Sequence, residues 1–171
     1  MIGSSLRIAA IAAGFLAAIV FSGVSQAAQT GSVDLTGSVT LNCSLTVTQK
    51  AAATAMNLGV SSTNLLVASI NENCKDKNGF VVTLTSNNGD LAGVNSGLLK
   101  GGSGNADTVA YTVKYDGATV NLVGGSAIVT NATHKTGGSG DDKNLTLSYT
   151  GAPSLNADTY TDTIILSLVG N

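Results

Sequence analysis

The chain has 171 residues, a net charge of −2, 11% charged and 4% aromatic residues, 21 glycines, two cysteines, one histidine and no tryptophan. Slight acidity argues against nucleic acid as a partner, because binding phosphates needs clustered Lys and Arg. One histidine excludes a multi-histidine metal centre, and the Thr, Ser, Asn and Gly bias favours strands and turns over helices.

The first element reads as an address. Arg7 precedes an apolar run from Ile8 to Phe21, shorter than a bilayer span and of the length of a secretory h-region, and Ser25-Gln26-Ala27 supplies small residues at a cleavage site. Residues 1–27 are expected to be a signal peptide, with export to the periplasm and a mature chain starting at Ala28. The mature chain is long enough for one domain with a sizeable core.

Next comes an alternating segment. Val33, Leu35, Gly37, Val39 and Leu41 share one face at a period of two, and Asp34, Thr36, Ser38 and Thr40 share the other, so the spacing predicts an extended strand. Nine residues at about 3.3 Å each span roughly 30 Å, enough to cross a sandwich, and the apolar face requires burial, with another molecule as a candidate cover. Residues 28–41 are therefore set apart as an N-terminal extension, and residues 42–171 as the folded domain.

Short strands separated by turns fill the rest. The expected strands are 41–48, 64–73, 79–86, 108–115, 119–123, 127–130, 144–149 and 159–169, punctuated by Asn87-Asn88-Gly89-Asp90, Gly101-Gly102-Ser103-Gly104, Asp116-Gly117 and the run from Gly137 to Asp141. Residues 51–56 lean weakly towards helix. So many strands at this spacing predict an all-β sandwich or barrel.

Cys43 and Cys74 are the two cysteines, and in an oxidising compartment they are expected to form one disulfide. In the chain-entropy picture a loop of about 30 residues makes such a bridge worth roughly 3.5 to 4 kcal/mol. Catalytic chemistry is not visible. His134 lies in a polar loop, the Gly-Ser runs open no helix with a Lys-Ser or Lys-Thr pair, and Asp107, Asp116, Asp141 and Asp142 lack calcium-loop spacing and read as turn acids. No cofactor or metal is expected, and no enzyme activity.

The run Leu145-Thr-Leu-Ser-Tyr-Thr-Gly151 followed by Ala157-Asp-Thr-Tyr-Thr-Asp-Thr-Ile-Ile-Leu-Ser-Leu-Val169 resembles the ending of spore coat protein U-like domains, the pilin subunits of archaic chaperone-usher systems. The stretch from Leu98 through the glycine-rich loop to Tyr111-Thr-Val-Lys-Tyr115 is similar to that family's middle region, and Val39 to Cys43 with Ser69 to Cys74 look like the paired cysteines of its first two core strands. The resemblance implies an immunoglobulin-like β-sandwich that lacks its last strand. In such pilins a periplasmic chaperone fills the groove first, and in the fibre the N-terminal strand of an identical or related pilin subunit replaces it, after passage through an outer-membrane usher; the resemblance implies the same partners here.

Carried onto this sequence, Val33, Leu35, Gly37, Val39 and Leu41 match the donor positions, while Ile164, Leu166 and Leu168 match a final strand beside the groove. The function implied is a structural subunit of a cell-surface fimbrium, supporting adhesion or biofilm formation. This chain departs from many relatives in ending Val-Gly-Asn without a terminal aromatic and in carrying Leu rather than Phe in its donor. The competing reading is a self-contained secreted sandwich, such as a carbohydrate-binding or adhesin module, with the N-terminal strand paired inside its own sheet. The absence of Trp equips it poorly for stacking on sugars.

Overall fold

The computed structural model describes residues 33–89 and 96–171; the signal segment and the beginning of the N-terminal extension lie outside them. Among the described residues nine strands occur in chain order: β1 (Cys43–Gln49), β2 (Ser62–Cys74), β3 (Phe80–Ser86), β4 (Gly97–Lys100), β5 (Thr108–Tyr115), β6 (Ala118–Val120), β7 (Ser126–Ala132), β8 (Asp141–Tyr149) and β9 (Ile164–Gly170). The all-β expectation holds. Among the described residues, only two single 3₁₀ turns interrupt the strands, at Ala51–Ala53, where the weak helical leaning ends, and at Val123–Gly125.

The strands form two antiparallel sheets. The larger runs β1-β2-β8-β5-β4, with β6 also paired to β5, and the smaller runs β7-β3-β9. Their facing surfaces make a sandwich-like core consistent with an immunoglobulin-like pilin fold. Alternation explains which residues are inside: Phe80, Val82 and Leu84 of β3 and Val109, Tyr111, Val113 and Tyr115 of β5 are buried, while Val81, Thr83, Thr112 and Lys114 between them are not. The β5–β6 hairpin turns on Asp116 (φ 49°) and Gly117 (φ 82°), both left-handed, as a two-residue turn matched to strand twist requires.

Several expected boundaries shift, among them that of β8, which starts at Asp141 inside the run read as a turn. The fourth strand, Gly97–Lys100, falls in a stretch read as a lead-in to the glycine-rich loop. The expected strand 119–123 ends at Val120 because the chain turns into the 3₁₀ segment. The last strand starts at Ile164 rather than Thr159, because Asp158 and Asp162 bend the intervening backbone by accepting from the amides of Thr159 and Thr163. Residues 33–42 join no ladder, and Val33, Leu35, Val39 and Leu41 are exposed, Leu35 by 92%.

Candidate functional site: an open seam between β1 and β9

The two sheets do not close on each other at one edge. β1 pairs only with β2, and β9 pairs only with β3, so among the described residues each strand has a free edge. Three strands of the small sheet face at least five of the large one, which leaves inward positions near these edges short of cover. Ile164, Leu166 and Leu168 point inward from β9 yet remain only partly buried, and Val47 of β1 is 50% exposed. Opposite Leu166 and Leu168 across the ladder, Leu84 and Val82 are completely buried.

Between the sheets lies a cleft of about 440 Å³, lined by Val47, Val67, Leu99, Leu147, Ile164 and Leu166 among others. A second, more polar cleft of about 620 Å³ adjoins it, with Gln49, Met56, Leu99 and Asp162 shared by both. Such a surface combines unpaired edge amides and carbonyls with uncovered aliphatic side chains, the combination that an added strand satisfies.

Covalent and polar links fix the two ends. Cys43 and Cys74 are paired across the β1–β2 ladder and joined by a disulfide, as expected. Here β1 and β9 converge, since a side chain on Gly170 would sit 3.5 Å from the Cys43 sulfur. At the other end, Asp162 Oδ2 accepts hydrogen bonds from Tyr111 OH (2.5 Å) and Ser86 Oγ (2.5 Å), and Oδ1 accepts from the Asn88 amide (2.9 Å). Burial, then the bond to Asp162, push the Tyr111 hydroxyl well above the ordinary tyrosine range, so it remains a donor.

A further bridge lies deeper. Glu72 on β2 is fully buried and accepts from Tyr115 OH (2.6 Å) on β5 and Thr130 Oγ1 (2.8 Å) on β7. Burial of the Tyr115 hydroxyl, then that bond, raise it well above its usual range as well.

The alternation of the last strand places Ile164, Leu166 and Leu168 on one face, and the structure turns all three inward, Ile164 and Leu166 lining the cleft and Leu168 packing against the cluster of Cys74, Phe80 and Val82. Alternation does not single out Asp162, Tyr111 and Ser86, although the Tyr-Thr-Asp-Thr run that carries the resemblance contains the aspartate. His134 is exposed and contacts Thr133, Asp116 pairs with Lys143 at 3.0 Å, and no cluster of metal-ligating side chains occurs among the described residues.

No protein-family model matches the chain, and no curated protein matches its sequence. Among solved structures, the crystal structure of the minor tip subunit HdaB of the E. coli Hda pilus aligns with 75% of this chain and 84% of that one, at 10% identity and a TM-score of 0.43.

Proposed function

We propose that this chain is a non-enzymatic structural subunit of a surface fimbrium, and that the N-terminal strand of one copy fills the β1/β9 cleft of the next. The observation that carries the reading is the open seam: Ile164, Leu166, Leu168 and Val47 face inward but stay partly uncovered, while Ile70, Val82, Leu84, Val113 and Leu145 in the interior of the same sandwich are buried. Its shape calls for a strand with apolar residues at every second position, and the chain contains one, with Val33, Leu35, Val39 and Leu41 around Gly37.

Chain geometry supports insertion into a neighbour rather than self-filling. Only Asn42 separates Leu41 from β1, and folding back beside β1 requires a turn of at least two residues between the paired strands. The consequence is a head-to-tail polymer. On this reading the signal peptide is removed after Ala27, a periplasmic chaperone protects the seam, an outer-membrane usher assembles the fibre, and the product stands on the cell surface.

The experiment is deletion of residues 28–41. The truncated subunit is expected to fold with its chaperone and to stop fibre growth, seen by electron microscopy of the cells. Failure to fold even with the chaperone would assign the strand to the chain's own sheet, and the self-contained secreted sandwich would replace the fimbrial reading.

A further inference from the structure

The residues leading into β9 cross from one sheet to the other. Thr161 pairs with Lys100 of β4, donating its amide at 2.9 Å and accepting at 3.0 Å, so it belongs to the edge of the large sheet. Two residues later, the Thr163 carbonyl accepts from the Asn87 amide at 3.0 Å, at the end of β3 in the small sheet. Asp162 sits at the crossing. It receives Tyr111 from the large sheet and Ser86 and the Asn88 amide from the small one. Tyr111 reaches it only because position 97 lacks a side chain; a Cβ there would run into the tyrosine ring.

Asp162 and Tyr111 also line the cleft, next to Ile164. An uncovered apolar cleft between two sheets tends to close on itself, since burying aliphatic surface is favourable at about 25 cal/mol per Å². A rigid polar link between the sheets beside the cleft opposes that closure, and carboxylate hydrogen bonds are the stronger kind.

We infer that Asp162, held by Tyr111 and Ser86, is a positioning residue that keeps β9 propped over an open cleft, so that the seam is receptive before a strand arrives. The inference rests on the strand-filling reading and extends it: the empty subunit is preorganised, and the prop matters less once an inserted strand separates the sheets. Losing a partly buried charge-assisted hydrogen bond is expected to lower the receptive fraction, and with it the apparent capture rate, about tenfold.

The test uses the mature full-length subunit and a fluorescent peptide of residues 31–42, with association followed by anisotropy. Spin labels at the exposed positions Thr46 and Ser167 report the spacing of β1 and β9. Tyr111→Phe and Asp162→Asn are expected to slow peptide capture about tenfold and to shorten the label distance in the empty subunit, with the wild-type distance restored once the peptide is bound. Ser86→Ala, the mildest change, is expected to act in the same direction. Unchanged capture rate and spacing, with empty and filled forms destabilised equally, would reduce the cluster to an ordinary structural staple and overturn the inference. A wild-type subunit that captures no peptide, while the variants still narrow the seam, would sink the strand-filling reading and uphold the propping role.

Discussion

Leu84 of β3 and Leu166 of β9 stand opposite each other across one antiparallel ladder, yet Leu84 is completely buried while Leu166 is only partly covered. The difference separates the finished from the unfinished part of the core. Leu84→Ala is expected to destabilise the isolated subunit by about 2–5 kcal/mol, whereas Leu166→Ala costs less there because Leu166 is only partly buried. After a strand is added, the Leu166 cost should rise towards the Leu84 value. Denaturant unfolding of both variants, with and without the peptide of residues 31–42, measures this; equal costs for Leu166 in the two states would mean that nothing further packs on it.

The disulfide ties β1 to β2 at the narrow end of the seam. Cys74→Ala is expected to lower subunit stability by about 2–5 kcal/mol and to reduce recovery of exported protein. Mass measurement before and after reduction should differ by two hydrogen atoms in the wild type. Two free thiols in the exported subunit would remove the bridge.

Periodicity makes some of this fold legible and leaves the rest hidden. The strands β3, β5 and β8 alternate cleanly because their inward residues meet the opposite sheet, and Asp116-Gly117 announces its own hairpin. In contrast, β4 carries two adjacent leucines after a glycine, with no period to read, and its glycine is explained by a tyrosine distant in sequence. The alternation of 159–163 is real, but side-chain carboxylates take the amides of Thr159 and Thr163 and the strand starts late. The residues of the seam are readable as faces of strands. That β1 and β9 leave an opening between them depends on the relative widths of two sheets, which local sequence does not encode.

Acid should loosen the loop ahead of β9. Asp158 is exposed, and its carboxylate accepts from the Asn105 side chain and the amides of Thr159 and Gly102, which hold its pKa below the usual carboxylate value. A depressed folded-state pKa means stability that is present above the ordinary value and is lost as pH falls through the folded one. Thermal midpoints between about pH 2 and 6 should therefore fall slightly more steeply for the wild type than for Asp158→Asn. Parallel curves would show that these hydrogen bonds do not favour the ionised form.

Gly37 gives the sharpest test of the proposed donor. It is the one position without a side chain in the series Val33, Leu35, Val39 and Leu41, and glycine is costly in a strand unless something approaches closely. Among the described residues nothing lies within 4 Å of a Cβ built at Gly37, so no contact there demands the glycine. On the proposed reading Gly37 enters the groove of a neighbour at a point that is shallow or crossed by a bulky residue, against the alternative of a β-bulge or simple tolerance of glycine. Gly37→Leu is expected to leave the subunit's own stability and its chaperone complex intact, and to overpack each joint by roughly 1 to 3 kcal/mol. Shorter fibres on cells, alongside normal yields of the purified chaperone complex, are the expected pair of results. Fibres of normal length would place Gly37 outside any tight groove and move the register of the donor strand.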